Sequence, residues 1–186
     1  MGIFKTDLLT GEIGENAIAE TLANHFKWQY MSHSEKGSKE YDLLFHKVDW
    51  QNLIIQDITV ECKTDEYTKD TGNMFIEFEC GGKPSGITAT KADIWANYFL
   101  INGEVWTIRR IDLIHLLNTN NFPRVKGGDV TDKHKTGKTM GHLITNREAH
   151  RQHFTIIPIL GYQKPKKVTL RAIKEEKLTD LDDWFK

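Results

Sequence analysis

A stripe of apolar residues at helical spacing is the first clear pattern along the chain. Ile18, Leu22 and Phe26 fall on one helix face, which predicts a helix over about 11–26. Thr10, just before it, is a residue type favoured at helix N-caps. Shorter apolar runs follow, and runs of this length are typical of strands. The predicted strands cover about 28–31, 41–46, 53–63 and 74–80.

The second half of the chain mixes helical and strand patterns. Asn102-Gly103 separates two apolar runs, which predicts a β-hairpin with its turn at these residues. The order of helix, strands, helix and strands predicts a mixed α/β fold, with a mixed central sheet flanked by helices. The other predicted elements are a helix at 88–98, a short helix at 111–118, a polar basic loop at 119–141, surface histidines on a basic helix at 142–153, a strand at 156–160 and a closing helix at 178–185.

Length and composition fit one globular domain. The 186 residues are 39% apolar and 27% charged, and we expect a core over about 10–118 with a basic C-terminal elaboration over about 119–186. No apolar run approaches the roughly 18 residues that span a bilayer, so no membrane partner is expected. The two cysteines provide neither a disulfide framework nor a CxxC zinc pair, so a reducing cytoplasm is the expected location.

The net charge of −1 conceals an uneven distribution along the chain. Residues 1–108 carry nine basic and 17 acidic residues, a net charge of −8, whereas residues 109–174 carry 14 and four, a net of +10. Residues 175–186 are again acidic, at −3. An acidic first part of the chain and a basic second part suit a protein that holds metal ions in one part and phosphates in another. Charge also clusters by chance, so the asymmetry alone decides nothing.

The segment Glu61-Cys62-Lys63 carries the most specific chemistry. Residues two apart share a strand face, so Glu61 and Lys63 point the same way. An isolated pair of this kind is most often a solvated ion pair. Asp42, in the preceding predicted strand, changes the interpretation, because antiparallel pairing would bring it near Glu61. Two such carboxylates are hard oxygen ligands of the kind that Mg²⁺ prefers.

Glu15 is a further carboxylate in an unusual place. On a helical wheel it lies within roughly 60° of Ile18, Leu22 and Phe26, so it points with the buried stripe. Charged side chains are rarely buried unless they are paired, so a glutamate on this face is unusual. Glu20 lies outside the stripe. The alternative is that Glu15 is partly solvated near the helix N-terminus, where the helix dipole favours a carboxylate.

A helix carrying Glu15, then Asp42, then Glu61-Cys62-Lys63 resembles the PD-(D/E)XK nuclease superfamily, whose members have a restriction-endonuclease-like core. The layout is similar to Holliday junction resolvases and to small phage-encoded nucleases. These proteins have a Glu on the first helix, a Gly- and Ser-containing loop before the Asp, and an ExK strand. The resemblance covers about 10–65 and extends loosely to residue 95. Tyr41-Asp42 stands where the superfamily name has Pro-Asp.

The resemblance implies Mg²⁺-dependent hydrolysis of DNA phosphodiester bonds, with Mn²⁺ as a substitute metal. Asp42, Glu61 and the backbone carbonyl of Cys62 would hold Mg²⁺. Glu15 would hold a second ion or act through water, and Lys63 would orient the attacking water or stabilise the transition-state charge. Endonucleolytic cleavage is expected, with junction resolution as one subtype. A homodimer fits this function, because two strands need two cuts.

Several polar residues beyond the ExK strand are candidates for DNA contact. Ser85 and Lys91 are expected as polar helpers near the site, and Thr88 as a phosphate contact at a helix N-terminus. The alternative is that 81–86 is a turn and Thr88 a cap. Phosphate contacts are also expected from a lysine-rich loop, for which a solvated arm is the alternative. Its lysines are Lys133, Lys135 and Lys138.

Three other functions compete with the endonuclease. One is an exonuclease acting on DNA ends in recombination. Another is a catalytically silent DNA-binding or inhibitory protein on the same fold. The third is a globular protein in which these charges are structural. The segment 132–139 lacks the first Gly of a phosphate-binding P-loop and no strand is predicted before it, which argues against a nucleoside triphosphatase.

Overall fold

The computed structural model describes residues 3–35, 40–65, 71–127 and 139–162. The described residues form an α/β fold with two helices, two short 3-10 helices and ten strands. The helices are α1 (Ile3–Phe26) and α2 (Arg110–Thr119), and the 3-10 segments are Gly86–Thr88 and Arg147–His153. The strands are β1 (Gln29–His33), β2 (Leu43–Val48), β3 (Ile54–Asp65), β4 (Met74–Cys80), β5 (Lys83–Pro84), β6 (Ile94–Phe99), β7 (Glu104–Arg109), β8 (Arg124–Gly127), β9 (Thr139–Ile144) and β10 (Thr155–Pro158).

The main sheet has six strands in the order β1-β2-β3-β6-β7-β10. The first three strands form an antiparallel meander, and β6 then lies parallel to β3. The chain therefore leaves the sheet after β3 and returns beside it. β6 and β7 form the hairpin predicted at Asn102-Gly103, in which Gly103 takes the positive φ of 62° that glycine adopts without strain. This sheet is mixed, as expected from the sequence.

A second sheet of four strands has the order β5-β4-β9-β8. Its first two strands come from the connection between β3 and β6, and the other two come from residues after 119. β4 pairs antiparallel with β9, so the late part of the chain joins a sheet begun much earlier. In the residues described, no helix is long and apolar enough to cross a bilayer.

One core lies between α1 and the main sheet. Ile58, Val60 and Cys62 alternate along β3 and face the helix, as their spacing of two residues requires. Ile18 and Leu22 of α1 are fully buried against this face. Each such side chain contributes about 1.5–3 kcal/mol through its burial.

Helix α1 approaches the end of β3 closely at Gly14. A Cβ at Gly14 would lie 1.7 Å from Thr64 Oγ1, so only glycine permits this approach. The contact places the next residue of the helix, Glu15, beside the end of the sheet where β3 carries its charged residues.

The second core lies on the opposite face of the main sheet. Trp95, Phe99 and Trp106 are buried there beneath strand β4 and helix α2. The buried guanidinium of Arg147 lies 4.2 Å from the Phe99 ring centroid, where a cation–π interaction offsets part of its desolvation. Both faces of β6 are thus covered, which explains its nearly continuous burial.

The helix predicted at 88–98 is wrong, because only Gly86–Thr88 forms a 3-10 turn and β6 occupies Ile94–Phe99. A strand buried on both faces has a continuous apolar run, which periodicity alone cannot distinguish from a buried helix. Thr10 is also not an N-cap, because α1 begins at Ile3.

The region beyond residue 119 also differs from expectation. The predicted loop at 119–141 contains strand β8 and the start of β9. The predicted basic helix at 142–153 is the end of β9 followed by the 3-10 segment. The late strand is confirmed as β10, and the closing helix predicted at 178–185 lies outside the described residues.

Candidate active site

Pairing between β2 and β3 brings Asp42 and Glu61 together. The pairing ends at Leu43 and Val60, and just before it the Asp42 N–H donates to the Val60 carbonyl at 2.9 Å, which holds Asp42 beside Glu61. Val60 faces α1, so Glu61, the next residue of β3, points to the other face of the sheet. The Asp42 carboxylate accepts a hydrogen bond of 2.7 Å from the Cys62 backbone N–H, which fixes it at the start of β2.

Lys63 completes the charged face of β3. Its Nζ lies 2.6 Å from Glu61 Oε1 and 5.5 Å from the Trp95 ring centroid. Glu61 is 8% exposed, and this contact gives its buried carboxyl a hydrogen-bond partner. Burial lowers the pKa of Lys63, but the carboxylates around it outweigh that effect and the net pKa is raised. Lys63 therefore remains a cation at neutral pH.

Glu15 reaches the same site from helix α1. Burial raises the pKa of Glu15 to about 7, and the charge of Asp42 is the next largest cause. Asp42 in turn has a raised pKa, first through burial and then through the charge of Glu61. Glu20, on the same helix, is exposed. The charges of Asp42 and Glu61 thus reach the Glu15 carboxyl, and the charge of Glu61 reaches Asp42.

Cys62 places its thiol on the α1 side, where burial raises the pKa of the thiol well above its ordinary value. A neutral, buried thiol is neither a nucleophile nor a soft metal ligand. A metal-binding role for Cys62 would therefore fall to its backbone carbonyl, as the resemblance implies.

Two residues near the site were not singled out by sequence reasoning. His33, at the end of β1, has Nε2 3.5 Å from Glu15 Oε2, and its Nδ1 lies 2.6 Å from the Tyr30 hydroxyl. Glu77, on β4 of the second sheet, contributes to the raised pKa of Lys63. The acidic alternation of β4 is a weak signal for Glu77, and no pattern distinguishes His33 from other histidines.

Three of the residues expected to contact DNA lie in the described part of the chain, and each of them contacts neighbouring protein groups. The Thr88 hydroxyl contacts the carbonyls of Phe78 and Ser85, and Ser85 caps the 3-10 turn. Lys91 Nζ lies 2.5 Å from Glu40 Oε1. The helix N-terminus expected beside Thr88 does not form. The remaining lysines, Lys133, Lys135 and Lys138, lie outside the described residues.

The donor set at the site consists of carboxylates. Among the described residues, no group of three or more His, Cys, Asp or Glu side chains is arranged so that it could hold a metal ion by itself. Mg²⁺ does not require one, because it commonly binds through one or two carboxylates together with water and substrate phosphates. Burial first, and then the charge of a neighbouring carboxylate, raises the pKa of Glu15 and of Asp42, and a nearby cation would oppose both effects. Their carboxylate oxygens are ligands of the type that a hard divalent cation prefers.

Comparison of the chain with family models, with curated proteins and with solved structures finds no match.

Proposed function

We propose that this protein is a Mg²⁺-dependent deoxyribonuclease with a restriction-endonuclease-like core, which hydrolyses phosphodiester bonds within DNA strands. One observation carries the proposal: α1, the residue before β2 and the middle of β3 bring Glu15, Asp42, Glu61 and Lys63 together. Lys63 Nζ lies 2.6 Å from Glu61 Oε1, the Cys62 N–H holds Asp42, and the charges of all three residues act on Glu15. These residues come from the elements that the resemblance implies, namely the first helix, the residue after a polar loop, and an ExK strand.

The charge of the cluster supports a requirement for a divalent cation. Glu15, Asp42 and Glu61 together outnumber the one cation, Lys63, so the ionised cluster is anionic. An anionic site repels a phosphodiester, whose charge becomes more concentrated during hydrolysis. Asp42, Glu61, the Cys62 carbonyl and Glu15 would hold Mg²⁺, which when bound neutralises this repulsion and makes water a better nucleophile.

The side chains have separate roles in this proposal. The Cys62 N–H holds the Asp42 carboxylate, so its position does not depend on substrate. Lys63, anchored on Glu61 and against Trp95, presents a fixed positive charge that would stabilise the additional negative charge on the phosphate. Glu15, with a pKa of about 7, changes its protonation near neutral pH and would hold or release a proton at its carboxyl.

A digestion panel tests the proposal. Purified protein is incubated with linear, circular, single-stranded and four-way-junction DNA, with Mg²⁺, with Mn²⁺ or with EDTA. We expect cleavage with either metal and none in EDTA, and cutting of closed circular DNA identifies an endonuclease. Glu61→Gln should abolish cleavage, whereas Glu20→Gln, exposed on α1, should retain it.

Other outcomes separate the competing functions. Degradation restricted to DNA with free ends indicates an exonuclease. DNA binding without cleavage under all metal conditions indicates a silent binding protein on this fold. Neither binding nor cleavage, in protein shown to be folded, contradicts the nuclease proposal and leaves the charged cluster with a structural role.

A further inference from the structure

Strand β1 contains a β-bulge that changes the direction of its last side chains. Tyr30 pairs with Phe45 and His33 pairs with Leu43, so three steps along β1 match two steps along β2. In a regular strand, residues three apart point to opposite faces of the sheet. The extra residue of the bulge allows Tyr30 and His33 to share a face, and the Tyr30 hydroxyl lies 2.6 Å from His33 Nδ1. Bulges beside active sites often re-aim a side chain in this way.

The ring of Tyr30 is held by the core between α1 and the main sheet. It packs edge-on against the buried ring of Phe45, with the two centroids 5.7 Å apart, and meets the His33 ring at 5.8 Å. Burial raises the pKa of Tyr30 and the charge of Glu15 adds to this, which together outweigh the hydrogen bond with the His33 backbone. The Tyr30 hydroxyl therefore keeps its proton at neutral pH and is available as a donor.

This hydroxyl determines which nitrogen of His33 faces Glu15 with a proton. When Tyr30 donates to Nδ1, the proton of a neutral imidazole is on Nε2. Nε2 is the atom that lies 3.5 Å from Glu15 Oε2. A protonated imidazole also carries a proton on Nε2. A donor therefore stands beside the Glu15 carboxylate in either charge state of His33.

The end of β1 is also tied to the other side of the candidate active site. The Ser34 N–H donates to the Asp42 carbonyl at 2.7 Å, and the charge of a protonated His33 reaches the Asp42 carboxyl. Glu15 lies on α1, outside the sheet that carries the other site residues. Its direction relative to them depends on contacts such as the close approach at Gly14 and the contact with His33.

The alternative is that His33 and Glu15 form an ordinary surface ion pair. Their side chains are 38% and 33% exposed, and pairs with this exposure contribute little to stability. An ordinary surface pair does not need a bulge and a buried aromatic contact to orient the imidazole. The arrangement of Tyr30 and His33 therefore favours a role in the direction of the Glu15 carboxylate over a role in folding.

We propose that His33 is a positioning residue for Glu15, and that Tyr30 fixes the imidazole tautomer so that Nε2–H holds the Glu15 carboxylate in the site. This inference rests on the proposed nuclease function, in which Glu15 holds a metal ion or acts through water. His33 acts through Glu15 and does not contact DNA. Partners that orient a ligand carboxylate typically change activity by about 10- to 100-fold when they are removed.

Nitrogen-15 NMR of the metal-free protein tests the tautomer independently of nuclease activity. The His33 signals are identified by their loss in His33→Gln. At about pH 8, where imidazoles are largely neutral, His33 should carry its proton on Nε2. Tyr30→Phe should reduce the share of this tautomer, because it removes the donor to Nδ1. A proton on Nδ1 in wild type, or the same tautomer share in both proteins, would overturn the proposal.

Single-turnover cleavage at saturating DNA tests the positioning. His33→Leu should lower the rate by about 10- to 100-fold without changing the dissociation constant for DNA. His33→Gln should restore most of the rate, because its amide N–H can still donate to Glu15. His46→Leu is the matched control and should cleave like wild type, because His46 also lies beside a carboxylate of the main sheet, that of Asp57 at 2.7 Å.

The other outcomes are distinct from a failure of the proposed function. A wild-type rate in His33→Leu, or no restoration in folded His33→Gln, refutes the positioning role and leaves the nuclease proposal in place. A weaker DNA affinity in His33→Leu shows that His33 contacts DNA itself, which also refutes it. A wild-type protein that cleaves no DNA contradicts the proposed function and the catalytic consequence of the positioning, whereas the NMR result still decides whether Tyr30 fixes His33.

Discussion

Replacing Glu15 by Gln should make the protein more stable at neutral and alkaline pH. The ordinary pKa of this carboxyl is 4.5, and in the folded protein it is raised to about 7 by burial and by the charge of Asp42. Between these two values the folded state retains a proton that the unfolded state releases. Stability therefore falls as pH rises through this window, and the full penalty is present above the folded pKa.

The size of the effect follows from the shift. A difference of one pKa unit corresponds to about 1.4 kcal/mol, so the penalty to the free energy of unfolding has an upper limit of roughly 3 kcal/mol. The Glu15 side chain is 33% exposed, so solvent screening reduces the expected penalty to about 1–2 kcal/mol. Glutamine keeps the shape of the side chain and removes the charge. The variant should match wild type at about pH 4 and exceed it by this amount at about pH 8.

Urea unfolding in EDTA at several pH values measures the difference. The comparison is between variant and wild type at each pH, so groups that do not contact Glu15 contribute equally to both. Glu20→Gln, exposed on the same helix, is the matched control and should show no pH-dependent difference. A Glu15→Gln variant that is equally or less stable than wild type at about pH 8 would show that Glu15 is not in a repulsive, desolvated site.

Three further predictions concern catalysis, packing and DNA binding. Each of the substitutions Asp42→Asn, Glu61→Gln and Lys63→Met should lower the cleavage rate by about 10²-fold or more. Asp42→Asn should also retain or increase DNA affinity without metal, as measured by anisotropy. Gly14→Ala should destabilise by about 1–3 kcal/mol in urea unfolding and be partly rescued by Thr64→Ala, because the new Cβ collides with the Thr64 hydroxyl. Neutralising Lys133, Lys135 and Lys138 together should weaken binding to all DNA sequences and make the affinity less dependent on salt concentration. An unchanged affinity and an unchanged salt dependence would identify this loop as a solvated arm.

Local sequence patterns determined the elements that carry the candidate site. The period of two in β3 places Glu61 and Lys63 on one face and Val60 on the other, and the structure has this arrangement. The helical wheel likewise indicates that Glu15 points with the buried stripe of α1. Alternation in β4 predicts its bounds at 74–80. These features depend on side-chain direction within one element, which backbone geometry sets.

Contacts between distant segments were decided by the tertiary structure. Ile94–Phe99 is a strand because β4 and α2 cover one face and α1 the other, and no local pattern reports which elements will cover a segment. The approach of His33 to Glu15 likewise depends on how β1 pairs with β2 beside the helix. The exposure of Trp50 follows from the length of β2 and β3 beyond the rest of the sheet. Sequence periodicity specifies the direction of a side chain, whereas its neighbours depend on the packing of the whole chain.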